Sequence, residues 1–277
     1  MLFCLARTPA AAMGSTIPFV QTPRRLLAGI RMYTNIFLFL RPPIPSLSNM
    51  KRITLYLFAL IISTITSFAQ ADCPTATDTD GNTYQTVRIG TQCWMAENMR
   101  ATHDCNGQEI LLSNQKSDRI PYRYCPNGRA KNVATYGYLY NWEAAKVVCP
   151  KGWHLPSDAE WTLLTDFVSS QSQYICNGKA ENNAKALAAT TGWKRCKKSC
   201  TAGNHPEENN ATGFAVLPAG GFYDDGYGYF SKGTFFWTST EYNNESAYKR
   251  YLDYDTTCLV RYTYLKIGGG AVRCVRN

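Results

Sequence analysis

Histidine is scarce in this chain: His103, His154 and His205 are the only three among 277 residues. None belongs to an H-E-x-x-H pair, and G-x-S-x-G, a Walker-type loop and a dinucleotide Gly fingerprint are missing too. These absences leave no footing for zincin proteases, nucleophile-elbow hydrolases, P-loop enzymes or nicotinamide dehydrogenases. No C-x-x-C occurs among the eleven Cys. The closest pair, Cys196 and Cys200, stands among Lys194, Arg195, Lys197 and Lys198, whose charges disfavour a divalent metal. Charge is sparse at 18%, against 45% apolar residues, 20 Gly and 13 Pro, which excludes collagen-like, coiled-coil and disordered chains. No internal repeat or low-complexity linker divides the sequence.

Acidic residues are absent from residues 1–49, which carry five Arg; with Lys51 and Arg52 these make up seven of the nine net positive charges. The remaining 22 basic and 20 acidic residues nearly balance, so a nucleic-acid surface is not expected. Met50-Lys51-Arg52, the uncharged stretch Ile53 to Phe68 and Ala69-Gln70-Ala71 have the three parts of an export signal. A membrane anchor is the alternative, since the run is near the minimum for a span. Its Ser63, Thr64, Thr66, Ser67 and Gln70, and the small residues at its end, favour cleavage. Residues 1–49 are then read as a start-site error ahead of Met50, with an Arg-rich organelle-targeting peptide as the alternative. The domains are thus a doubtful extension over 1–49, a signal peptide over 50–71 and a single domain over 72–277. Secretion or display at the cell surface is expected, with no permanent membrane span.

The 206 residues after Ala71 are enough to bury about 70% of the unfolded surface in one core. Asp80-Gly81 predicts a hairpin turn followed by a strand from Thr83 to Ile89. Asp78-x-Asp80-Gly81 lacks the further oxygen ligands of a calcium loop and is read as that turn. Ser157 and Glu160 form a capping box, and Trp161, Leu164, Phe167 and Val168 give the following helix one apolar face. Weaker helices are predicted over Asn141 to Val148 and Glu181 to Ala189. Strands are predicted over Tyr248 to Tyr254, Leu259 to Ile267 and Ala271 to Val275. Few helices among many short strands make the fold α+β. Beyond Cys4, ten Cys follow the signal, an even and dense set that reads as disulfides in an oxidising compartment.

Several blocks carry a family resemblance. They include Gln92-Cys93-Trp94-Met95-Ala96-Glu97-Asn98-Met99, Gly137-Tyr138-Leu139-Tyr140-Asn141-Trp142 and Cys149-Pro150-Lys151-Gly152-Trp153-His154-Leu155-Pro156. Gly213-Phe214, Leu217-Pro218-Ala219-Gly220, Phe236-Trp237-Thr238-Ser239-Thr240-Glu241 and Val272-Arg273-Cys274-Val275-Arg276 continue them in order. Together they resemble the Fibrobacter succinogenes major paralogous domain, a family of exported proteins of Bacteroidetes and Fibrobacteres. The resemblance implies a C-type lectin-like fold, related to that of formylglycine-generating enzymes, with two or three short helices on small twisted antiparallel sheets and long loops. It also implies a Cys149–Cys274 bridge, because both Cys stand in its motifs. Loop-bracing bridges Cys73–Cys93 and Cys105–Cys125 are expected besides, with Cys176, Cys196, Cys200 and Cys258 sharing two more.

No catalytic residue is expected, and the protein is read as no enzyme. Asp224 and Asp225 are adjacent, so on an extended segment they point apart and make a poor glycosidase dyad. A binding site is expected on two aromatic and acidic segments. The first holds Tyr223, Asp224, Asp225, Tyr227 and Tyr229, whose rings and carboxylates suit a sugar's C–H face and hydroxyls. Trp237 is a further candidate ring, and the second segment, Glu241-Tyr242-Asn243-Asn244-Glu245, offers with Asp253 and Asp255 oxygens for calcium. No metal or other cofactor is expected, with calcium as the alternative. The favoured function is an interaction module for a glycan or protein partner. A structural envelope component and a secreted enzyme of the formylglycine-generating type are the competing readings.

Overall fold

The computed structural model describes residues 73–277. The proposed extension and signal peptide lie outside the described residues. The chain opens with the hairpin β1 (Ala76–Thr77) and β2 (Thr83–Tyr84), then β3 (Thr86–Ile89) and β4 (Gln92–Met95). β5 (Leu111–Leu112), β6 (Tyr122–Tyr124) and β7 (Leu139–Tyr140) form a second small sheet, with the helical turn α1 (Val133–Tyr136) between β6 and β7. Helix α2 (Trp142–Val147), strand β8 (Trp153–His154), helix α3 (Asp158–Ser170) and the short α4 (Ala184–Leu187) follow. From Gly221 onward every regular element is a strand. These are β9 (Gly221–Tyr223), β10 (Gly226–Gly228), β11 (Gly233–Glu241), β12 (Ser246–Asp253), β13 (Val260–Leu265) and β14 (Val275–Arg276).

The architecture is α+β, with few short helices and small, mostly antiparallel sheets. Strand β14 returns from the C-terminal end to lie between β4 and β8, giving the sheet order β3-β4-β14-β8. β11, β12 and β13 form an antiparallel meander. Helix α3 packs on that meander, and its start is fixed by the capping box the sequence predicts: the Glu160 amide donates to Ser157 Oγ, and Ser157 N–H donates to Glu160. Its buried stripe is Trp161, Leu164 and Val168. Arg250, buried on β12, donates to the Asp158 carboxylate at 2.7 Å and clamps the start of α3 to the sheet. The opposite face of β12 is left for a different task.

Three predicted elements differ. The strand over Thr83 to Ile89 breaks at Gln85, because Tyr84 pairs back to Ala76 while Thr86 pairs forward to Met95. The strand over Ala271 to Val275 contracts to Val275–Arg276, since Ala271 makes a single parallel bridge to Phe236 instead. Close packing explains the run before it: a Cβ on Gly270 would stand 2.2 Å from the Phe235 ring. The helix over Glu181 to Ala189 shrinks to the single turn Ala184–Leu187.

The cysteines also divide differently from the even count. Cys73–Cys93, Cys149–Cys274 and Cys176–Cys200 are bridged. Cys258 is disulfide-bonded too. The expected Cys105–Cys125 bridge is not formed, and both are free thiols. Cys105 lies in a turn wound on the Asp104 carboxylate, and its N–H donates to Val147 O at the end of α2. Cys125 is buried after β6, near Tyr227. Cys196 is the third free thiol, against the expectation that it shares a bridge. Its N–H docks on Gly203 O and its sulfur accepts the Lys198 N–H, while Cys200, at φ 65°, turns to meet Cys176.

Candidate binding site

Side chains alternate across a strand, so Lys249, Tyr251 and Asp253 of β12 share the face turned away from α3. Register sets their surroundings. Lys249 stands between Trp237 of β11 and Tyr262 of β13, Tyr251 between Phe235 and Val260, and Asp253 opposite Gly233. Gly233 carries no side chain there, which leaves space above Asp253. The β9–β10 hairpin and its continuation add Tyr223 and Tyr229 from the side. Together Tyr223, Tyr229, Lys249, Tyr251, Asp253 and Tyr262 line an open cavity of about 330 Å³, within the range of small-ligand sites.

The rings are placed by packing and by one unusual backbone. Tyr223 lies 5.6 Å from Tyr229, 5.7 Å from Phe235 and 5.5 Å from Tyr264, so its ring is fixed from three sides. Tyr229 has φ 61°, a left-handed conformation that is rare for a bulky residue. Its carbonyl accepts the N–H groups of Lys232 and Gly233, which holds the turn. The Tyr229 ring is nevertheless half exposed, as is Tyr262. Strain held in place to present an exposed ring is the kind of outlier found at binding sites.

The charges in the cavity are poorly solvated. Lys249 is only 8% exposed. Its Nζ lies 4.5 Å from the Phe235 and Tyr264 ring centres and 5.8 Å from those of Tyr223 and Tyr251. Burial pulls its pKa down to about 8. Asp253 accepts the Tyr254 N–H at 2.7 Å, and burial, followed by the nearby Asp255 charge, raises its pKa to about 6. Burial also pushes the Tyr223, Tyr251 and Tyr264 phenols up, so the rings stay neutral.

Of the residues expected from sequence, Tyr223 and Tyr229 of the first segment come together here with Asp253, which was named only as a calcium ligand. Tyr227 packs on Phe222 at 4.8 Å, and its hydroxyl donates to Asn114. Asp224 and Asp225 occupy the tip of the β9–β10 hairpin, where Lys116 Nζ donates to the Asp224 carbonyl. Trp237 is buried, and its ring N–H donates to Tyr140 O, so it offers no face to a ligand. Glu241 pairs with Lys266 at 3.2 Å, and the Asn243 side chain accepts the Glu245 and Ser246 amides. Asn244 lends its carbonyl to Lys266.

That second segment sits at the far end of the hairpin. Glu241 pairs with Ala247 and Gly233 with Asp253, a separation of about 20 Å along the strand. The oxygens named for calcium therefore do not converge, and no group of metal-ligating side chains occurs among the described residues. Lys249, Tyr251 and Tyr262 were missed by the sequence reading. The signal for two of them was present, since Lys249, Tyr251 and Asp253 alternate with Arg250 and Leu252.

A disulfide-braced α+β domain with an aromatic cavity on its strand-rich half is the class of protein that this fold and site define. The family model of the Fibrobacter succinogenes major domain matches residues 87–276, and the chain belongs to that family. Neither the curated proteins nor the solved structures give a match.

The motif blocks behind this membership meet inside the fold. Arg273 donates to Asn98 Oδ1 and to the carbonyls of Phe214 and Ala215. Trp142 donates to Thr238 O, and Trp237 donates to Tyr140 O. Asn141 caps α2, accepting the Ala144 and Tyr122 amides while donating to Ser117 O and Ile120 O. These residues brace the core. The cavity residues lie between the blocks.

Proposed function

We propose that this protein is an exported glycan-binding module whose sugar site is the cavity between β12, β13 and the β9–β10 hairpin. The observation that carries this reading is the convergence of Tyr223, Tyr229, Tyr251 and Tyr262 around one opening that also holds a carboxylate and an ammonium group. Planar phenol rings bury a sugar's C–H face without ordering long flexible side chains, and Asp253 accepts its hydroxyl hydrogens. The three bridges support an oxidising, extracellular setting, as a secreted or surface-held protein. We read the fold as C-type lectin-like, in keeping with the long irregular stretches between its short elements. We read the activity as binding without catalysis and without calcium.

A glycan array probed with the oxidised protein, with calcium and again with chelator, tests this. Binding that ignores the chelator and falls at least tenfold in Tyr262→Ala supports the cavity, tenfold being a modest hot-spot effect. Calcium-dependent binding moves the site to another acid set. A blank array from folded protein favours a protein partner or a structural role in the envelope.

A further inference from the structure

Five cationic side chains are buried in this domain: Arg123, Lys249, Arg250, Lys266 and Arg273. Four of them have oxygen acceptors. Arg123 donates to Thr102 O, Arg250 to Asp158, Lys266 to Asn244 O, and Arg273 to Asn98, Phe214 O and Ala215 O. Lys249 is the exception, with neither a hydrogen bond nor an ion pair among the described residues. Its neighbours are the faces of Phe235, Tyr264, Tyr223 and Tyr251. Ring faces attract a cation but accept none of its three N–H donors in the way an oxygen does. A buried ammonium without an anion is costly, and this one opens onto the cavity.

We infer that the groove selects a saccharide bearing a carboxylate, which the Lys249 ammonium holds at the cavity floor. This rests on the glycan reading above and names the class of sugar. The layout gives the ligand a direction. Asp253 is four residues along the same strand face from Lys249, about 14 Å away. The carboxylate sits at the Lys249 end, and hydroxyls donate to Asp253 at the other. Tyr251 lies on the floor between them, with Tyr262 and Tyr229 at the rim. A carboxylate placed at the Asp253 end would meet a like charge, so only one orientation is favoured. Bringing an anion to Lys249 also stabilises its charged form, so binding near pH 8 takes up a proton.

The test is calorimetric titration of the oxidised protein at pH 7 with a glucose trisaccharide ended by a single glucuronate and with its methyl ester. These differ in the charge of the carboxyl group and in the methyl that masks it. The acid is expected to bind at least tenfold more tightly than the ester. Lys249→Met, which keeps an apolar stem inside the ring cage, is expected to abolish the tenfold preference, so that the variant binds acid and ester alike. Should that variant fail to fold, a pH series on the unaltered protein decides: acid affinity is expected to fall between pH 7 and 9.5 as Lys249 loses its proton. Equal binding of acid and ester overturns the carboxylate inference and leaves the glycan reading standing. No binding of either, when neutral sugars on the array bind, has the same meaning. No binding of either with a blank array overturns both. Tighter binding of tetraglutamate than of either sugar overturns the saccharide assignment in favour of an acidic peptide.

Discussion

Arg273 offers the sharpest check on how the core is held together. Its guanidinium is buried between the Phe214 and Phe236 rings, 4.5 and 5.4 Å from their centres. It joins three segments distant in sequence through Asn98, Phe214 O and Ala215 O. Replacing it with Met keeps most of the stem volume and a thioether that packs on rings. The Asn98 and Phe214 acceptors are then orphaned at buried positions and Ala215 O at a part-buried one. Each unsatisfied group costs about 1–3 kcal/mol, partly offset because the cation no longer has to be desolvated. The net expectation is a loss of about 3–5 kcal/mol, the range for breaking a buried charged network.

Urea unfolding of the oxidised protein measures this, with an unchanged m-value showing that the unfolded state is comparable. Arg261→Met is the control. Its side chain is half exposed and also pairs with an acid, at 2.8 Å, so its loss is expected to cost no more than about 1 kcal/mol. Arg273→Lys retains the charge but not the planar fork, and is expected to recover only part of the loss. A cost below about 1 kcal/mol for Arg273→Met, or one equal to that of Arg261→Met, would refute the argument that these acceptors depend on Arg273.

Three further outcomes follow from the same structure. Cys149–Cys274 closes a separation of 125 residues and Cys73–Cys93 one of 20; on loop entropy, replacing each pair by Ala lowers urea stability by about 5 and about 3 kcal/mol, and a reversed order contradicts the entropic account. Asp253 has a folded pKa of about 6 against 3.8 for the free side chain. The folded state therefore holds the extra proton between those values, and stability falls as pH rises through them. Asp253→Asn is expected to flatten that slope and to gain about 1 kcal/mol at pH 7, a figure reduced for partial solvent exposure; an unchanged slope rejects the assignment. Among the free thiols, Cys105 and Cys196 are partly exposed, whereas Cys125 is buried and burial raises its pKa. Alkylation followed by mass spectrometry should label the first two in native protein and Cys125 only on unfolding, and early labelling of Cys125 contradicts its placement.

What was legible in the sequence was local. Ser157 and Glu160 stand three apart, so their reciprocal bonds need only a helix start, and α3 begins where they put it. The alternating run around Tyr248 to Tyr254 marked β12 for a similar reason. The free cysteines show the limit: an even count constrains bookkeeping, not geometry. Cys105 and Cys125 are each committed to their own turns and meet different neighbours. The cavity was illegible for a deeper reason. Its rings come from residues 223, 229, 251 and 262, and whether Tyr227 or Tyr229 joins them depends on how the β9–β10 hairpin turns. Trp237 and Tyr227 satisfy the same composition rule as the rings that line the opening, yet both are turned into packing.

Tyr229 separates stability from binding within a single residue. Its left-handed backbone disfavours every side chain with a Cβ except, mildly, Asn and Asp, and Gly adopts it freely. Tyr229→Ala and Tyr229→Gly both delete the ring beside Tyr223, so both are expected to lose the same affinity for any sugar bound in the cavity. Their stabilities should differ, with Gly above Ala by about 1 kcal/mol because only Gly relieves the strain. The native Tyr, being half exposed, contributes little to the core to offset that strain, so Tyr229→Gly is expected to be no less stable than the unaltered protein. If Gly proves the less stable of the two variants, the left-handed backbone at this position is not a source of strain. If both variants bind as the unaltered protein does, the ring is held there for some purpose other than this cavity.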